Sequence, residues 1–247
     1  MEAAAAAVER WASAWPDPPA GQAIVADAMR GRIAILTGRP QRAAVFFRRA
    51  ERRYDAERED LDAEGPVALE LVRQSVAEAR LLRAEPLVQR FLATSPPRAH
   101  GGDVEAWWRR VMTPWMVRTQ RRLLLARMEL ERIYELGSPR HSVMAAARIG
   151  EMYRHVTALH AAMSLPDDEW MRVLITDGQN RPGYDEAVAH LETCVRWAHH
   201  HGVAPRWARR CEEGLHALDP HRYPLAAELA GTAGYLPITF AAPAAAR

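Results

Sequence analysis

The sequence has no lysine, a single asparagine (Asn180) and two cysteines in 247 residues, and all 33 of its basic side chains are arginine. That usage reads as the bias of a GC-rich genome, yet it has chemical consequences. Without lysine there is no Schiff-base chemistry on a side-chain amine and no phosphate-cradling loop closed by Gly-Lys. Long β-branched runs are missing too, so no segment reads as a convincing strand. No stretch approaches the ~18 uninterrupted apolar residues of a membrane-spanning helix. Met1 is followed by an alanine run that contains Glu2, Glu9 and Arg10, whereas a secretory signal opens basic and then turns apolar. The expectation is a cytoplasmic protein, or a periplasmic or envelope one if the chain is a fragment or its start is miscalled.

Catalytic signatures are equally scarce. There is no GxSxG elbow, glycine-rich phosphate loop or HExxH. TDGQNRPG, at 176–183, lacks the spaced acids of a calcium loop. His199, His200 and His201 are adjacent, so on a helix they point about 100° apart and do not converge on one metal. They read as partners of a helix C-terminus. His155 and His160 are wrongly spaced for one helical face, while Glu151 and His155 are spaced for a surface pair. Glu59, Asp60, Asp62 and Glu64 read as a solvated helix end, and Asp167, Asp168 and Glu169 as caps of a short helix. The chain is expected to be non-catalytic, with no metal and no cofactor.

What the sequence does hold is helix. Alanine, leucine, arginine and glutamate dominate, and 49% of the residues are hydrophobic, a composition of strong helix formers with enough apolar surface for a core. Helices are expected over Glu2–Trp15, Gln22–Leu36, Pro40 to about Leu61, and Pro66 to Ala93 with an interruption at Pro86. TSPPRAHGGD, residues 94–103, breaks the pattern with two prolines and two glycines. Asp103 then caps a long helix to Leu136, kinked at Pro114. Ser138 and Pro139 start another to Met163, and two more cover Tyr184–His200 and Pro205–Leu218. The chain divides into N-terminal helical hairpins (1–93), a linker (94–103), a C-terminal helical region (104–230) and a tail (231–247) expected to be disordered.

Small and bulky residues recur at repeat spacing. In MRGRIAILTGRPQRAAVFFRRAERR, Gly31 is followed by Ala43, Phe47 and Ala50 at 12, 16 and 19 residues. Small residues allow two helices to cross at the near end of ~8–10 Å, and the phenylalanine fills the space between pairs. Gly150 and Tyr153 in RIGEMY, then Ala187, Leu191 and Cys194, repeat the pattern with an insertion. Trp207 and Cys211 begin a third partial match. On these residues the chain resembles the tetratricopeptide-repeat family, with one unit at about 22–55 and roughly a third of the chain in clear matches. The C-terminal half, with YDEAVAHLETCVRWA and PRWARRCEEGLHALDPHRYPLAAEL, resembles the end region of large repeat proteins of myxobacteria and related deltaproteobacteria. The resemblance implies an all-α fold of antiparallel hairpins stacked as a degenerate α-solenoid. It also implies a non-catalytic scaffold or adaptor, with a protein partner in a concave groove, in a bacterial envelope or motility-type assembly.

Cys194 and Cys211 lie 8 residues before and 9 after Gly202. Turning at that glycine brings them to one height. Two readings stand: a disulfide, which needs Cα atoms within ~4.4–6.8 Å, or two small buried thiols kept reduced. The most suggestive surface is basic and aromatic: Trp108, Arg110, Trp115, Arg118, Arg121 and Arg122 on the helix over 104–136, with Trp107, Met112, Leu123 and Ile133 as an apolar stripe. It reads as a core helix with a solvated arginine side, or as a docking surface for an acidic peptide or a nucleic-acid backbone. Trp170 is a second candidate contact. The net charge of +2 makes nucleic acid the weaker partner. A third alternative is an enzyme using His155 and Glu151, or the acidic cluster, in a pocket between helices.

Overall fold

The computed structural model describes residues 2–14, 18–58, 61, 65–98, 103–163 and 180–225. Among them every regular element is helical and no strand occurs. The helices are α1 (Glu2–Ala14), α2 (Ala20–Leu36), α3 (Pro40–Ala56), α4 (Pro66–Leu92), the short α5 (Val104–Trp107) and α6 (Thr113–Glu131). A 3₁₀ turn (Tyr134–Leu136) leads into α7 (Pro139–Ala161), and α8 (Asn180–His201) and α9 (Pro205–Leu218) follow. Residues 99–102, the acidic group at 59, 60, 62 and 64, the segment 164–179 with Asp167, Asp168, Glu169 and Trp170, and the tail 231–247 lie outside the described residues.

Local chemistry explains most boundaries. Proline stands in the first turn of α3, α4, α7 and α9, where its missing N–H is no loss. Asp103 Oδ1 accepts the Ala106 amide at 3.0 Å, the expected cap of α5. α2 and α8 close alike. Gly38 N–H reaches Ile35 O and Arg39 N–H reaches Ala34 O, while Gly202 N–H reaches His199 O and Val203 N–H reaches Ala198 O. This paired closure needs a left-handed residue just past the helix, and Gly38 (φ 72°) and Gly202 (φ 62°) supply it.

Four expectations are corrected. α4 runs unbroken through Pro86, although an interior proline costs about 3 kcal/mol. α4 buries Val72, Val76, Ala79, Leu81, Val88 and Phe91 against neighbours on several sides, and that burial outweighs the lost hydrogen bond. The break expected at Pro114 falls one turn earlier, as a π turn over Trp108–Met112. There the Thr113 amide bonds to Trp108 O, and the wider turn accommodates a proline that has no N–H and crowds the carbonyl four residues back. α3 ends at Ala56; Leu61 is held by its amide on Glu57 O at 3.1 Å and is fully buried. Ser138 does precede α7, but its hydroxyl bonds His141 Nδ1 at 2.8 Å rather than capping a backbone amide.

Packing follows chain order. α2 lies on α3 and α4, α4 on α6 and α7, and α7 on α8 and α9. One buried cluster runs from Ile24 and Ala50 through Val76, Phe91 and Leu130 to Ile149, Met152 and Ala187. Helices on both sides of residues 94–103 therefore share a core. Each fully buried Val, Leu, Ile, Phe or Met of this cluster contributes about 1.5–3 kcal/mol. A second cluster joins Val143, Ala147, Leu191, Cys194, Ala208 and Cys211.

Two close crossings shape the array. A β-carbon on Gly31 would overlap the Phe47 ring, and Phe47 lies buried with Ala43 and Ala50. A β-carbon on Gly150 would come within 2.6 Å of Leu191 Cγ, and one on Gly214 within 3.2 Å of Leu191 Cδ1. Leu191 is wedged between glycines of α7 and α9. Among the described residues no helix is long and apolar enough to cross a membrane.

Candidate functional site

The basic-aromatic segment divides into two parts. Trp107 and Met112 are buried with Met163, and Trp108, Trp115 and Met116 pack against them half-buried. Trp107 and Trp108 lie 6.3 Å apart between ring centroids. The tryptophans thus anchor the π turn rather than form an open platform. The arginines remain outside: Arg110, Arg118, Arg121 and Arg122 are exposed. Arg109 pairs with Glu105 at 2.7 Å, and Arg122 reaches Thr94 Oγ1 at 3.5 Å. Arg110, Arg118 and Arg121 have no acidic partner among the described residues.

Beside those arginines stands an apolar ridge that sequence reasoning missed. Val117, Leu124, Leu125 and Met128 are each 46–61% exposed on α6. Val117, Arg121, Leu124 and Met128 follow helical spacing along one line. The signal was in the run Leu123–Leu125: three consecutive leucines cover about 200° of a helix, so they cannot all face one core. Leu123 is buried; the other two are not. Leu123 and Ile133 continue into the main core instead.

A second locus is a cavity of 580 Å³ where α7, α9 and the end of α4 meet, lined by Glu151, Arg154, His155, Tyr184 and Arg210 among others. Glu151 and His155 share this wall, but they do not pair as expected. Glu151 is buried and held by Arg148 at 2.8 Å and by Arg210. Arg148 also bridges to Glu85 at 2.6 Å. His155 packs edge-on against Phe91 and bonds the Thr94 carbonyl through Nε2 at 3.0 Å. A carbonyl only accepts, so Nε2 carries the proton and Nδ1 is left as the acceptor. Burial pushes the His155 pKa down, against the Thr94 hydrogen bond and with Arg154. Both side chains thus serve first to fasten α7 to its neighbours. The Trp207 ring packs with both Arg148 and Arg210, whose guanidiniums stand 5.1 and 5.3 Å from its centroid, a double cation–π contact that no sequence pattern announced.

The repeat-position residues occupy contacts between helices. Tyr153 stacks on His190 at 6.1 Å, and its hydroxyl takes an N–H of Arg127. Ala187 and Leu191 are buried against α7. Cys194 and Cys211 are joined by a disulfide, with their Cα atoms 6.4 Å apart. It ties α8 to α9 beneath the turn at Gly202. The three histidines close α8, and His199 Nε2 lies 3.4 Å from Glu212 across that turn. Among the described residues no group of three or more His, Cys, Asp or Glu side chains is placed to hold a metal ion. Comparison with protein-family models, with curated proteins and with solved structures finds no match to this chain.

Proposed function

We propose that the protein is a non-catalytic helical scaffold of tetratricopeptide-like design that binds an acidic, amphipathic helix of a partner protein along α6. One observation carries this reading: the outer face of α6 exposes Val117, Leu124, Leu125 and Met128 beside Arg118 and Arg121, which have no acidic partner among the described residues. Isolated exposed apolar residues are ordinary, whereas an aligned ridge is the feature of a docking helix. An amphipathic partner helix lays its apolar side on such a ridge. Acidic residues on its flanks then meet the arginines, which set orientation and association rate.

Support also comes from the repeat-spaced contacts of Gly31 with Phe47 and of Gly150 with Leu191. Sequential packing of helix pairs is how repeat scaffolds present extended surfaces. The Cys194–Cys211 bridge favours an oxidising compartment, and hence an envelope location over the cytoplasmic one.

The test measures binding of an acidic amphipathic peptide as salt is raised. Affinity is expected to be micromolar, to fall with ionic strength, and to drop about tenfold in the Arg118→Ala/Arg121→Ala variant. Binding indifferent to both salt and this variant would sink the basic part of the reading. Leu124→Ser/Met128→Ser probes the apolar part. A single-stranded or duplex DNA probe retarded more strongly than the peptide, with a steep salt slope, would replace the protein partner by nucleic acid.

A further inference from the structure

The end of the molecule formed by α1, α2 and α3 carries a basic cluster that the docking face does not use. Asp27 in α2 is only 2% exposed. Its carboxylate accepts two N–H bonds from Arg49, one of them from Nε at 2.6 Å. Arg30 stands 3.5 Å and Arg53 4.0 Å from it. Arg30 also reaches Glu9 at 2.9 Å. Arg39 and Arg42 have no acidic partner among the described residues. Five arginines therefore gather around two carboxylates, a local excess of three positive charges, in a chain whose net charge is only +2.

Like charges crowded this way repel unless something holds them. Asp27 pins Arg49 and Arg30 from below. The Phe46 ring attracts three guanidiniums, with Arg30, Arg42 and Arg49 at 5.9, 5.6 and 5.3 Å from its centroid. Between the three helices lies a cavity of 440 Å³ lined by Glu9, Arg30, Thr37, Arg39, Arg42 and Phe46, among others. α3 begins between Arg39 and Arg42, and no side chain caps it. Pro40 has no N–H and the Ala43 amide is bonded to Arg39 O, so the Gln41 and Arg42 amides and the helix dipole are what favour an anion there. The Thr37 hydroxyl is occupied with the Ile33 and Ala34 carbonyls, so recognition there rests on charge.

We propose that this cavity binds a small phosphorylated molecule, whose phosphate is held by Arg39, Arg42 and the first-turn amides of α3. Guanidinium forks match phosphate oxygens in pairs. A dianion offsets the excess charge better than a carboxylate does. Arg30 and Arg49, fixed on Asp27, contribute field rather than contact. Glu9 repels the anion from the α1 wall, so the phosphate sits at the α3 end and the uncharged part of the ligand lies toward α1.

Calorimetric titration of the full chain with inorganic pyrophosphate tests this. Saturable one-site binding is expected, weakened about tenfold or more by Arg39→Gln/Arg42→Gln, since both phosphate-contacting forks are lost. Arg181→Gln/Arg206→Gln, at exposed arginines of α8 and α9, is expected to leave it within twofold. Hydrogen exchange on the unaltered chain gives a readout independent of variant folding: pyrophosphate should protect the amides of Gln41 and Arg42, the first-turn amides of α3 that no carbonyl takes. No saturable binding, equal loss in both double variants, or protection confined to other segments would each overturn the proposal.

Discussion

The hairpins α2–α3 and α8–α9 turn through the same backbone device and are then locked in different ways. Each closes on a left-handed glycine, Gly38 or Gly202, and each second helix opens with a proline in its first turn. The first is fastened by an aromatic knob on Gly31 and by the hold of Arg49 on buried Asp27. The second is fastened by a covalent bridge, with Leu191 pressed between Gly150 and Gly214. Turn chemistry therefore specifies that the chain folds back. What crosses the interface afterwards decides how firmly it stays.

The comparison breaks most readily at the two knobs. Phe47→Ala is expected to cost about 3–5 kcal/mol, and Leu191→Ala about 2–5 kcal/mol, because each leaves a cavity that a glycine-lined crossing cannot refill. Chemical denaturation checks both. If the disulfide alone holds α8–α9, Leu191→Ala falls well below that range while Phe47→Ala does not.

Removing the bridge is the next largest effect. A closed loop of this size, with the cysteines 17 residues apart, constrains the unfolded chain by about 3 kcal/mol. Cys194→Ala/Cys211→Ala should lose about that much. Hydrogen exchange should rise in α8 and α9 while α2 and α3 keep their protection. Thiol alkylation and non-reducing mass spectrometry on protein from its native cells should find no free thiol; two alkylated cysteines would return the protein to a reducing compartment.

The smallest effect sharpens the comparison at the turn. Ala204 holds φ 51° ahead of Pro205, a conformation that L side chains avoid at about 1–2 kcal/mol. The α2–α3 turn contains no such residue. Ala204→Gly should therefore stabilise the protein by about 0.5–1 kcal/mol, the strain relieved less the greater freedom of glycine in the unfolded chain. Thermal unfolding followed by circular dichroism reads this as a small rise in the midpoint.

Much of the fold was legible because its signals are local. Asp103 caps α5 and Gly38, Gly137 and Gly202 stand at helix ends, since capping and left-handed turns depend on residues within one turn of chain. The misreadings came where distant contacts overrode local preference. Pro86 should interrupt α4 and does not, because neighbours on several sides hold that helix together. Glu151 and His155 are spaced to pair and do not, because Arg148, Arg210 and the Thr94 carbonyl arrive from elsewhere in the chain. The α6 ridge was half legible in its three leucines. The Asp27 cluster was not legible at all: Arg49 and Arg53 lie 22 and 26 residues from Asp27 along the chain, and only the packing of α3 on α2 brings them to it.

By itself the sequence determined that this chain is helical, where its helices begin and end within a few residues, and that small residues sit opposite large ones at repeat spacing. Those properties follow from propensity, capping and periodicity, which act over a few residues at a time. Only the tertiary structure decided which side of α6 faces outward, which arginines keep acidic partners and which do not, and that Glu151 and Asp27 are buried. Charge compensation and solvent exposure depend on what lies across space, and helices of similar composition leave that undetermined until they pack.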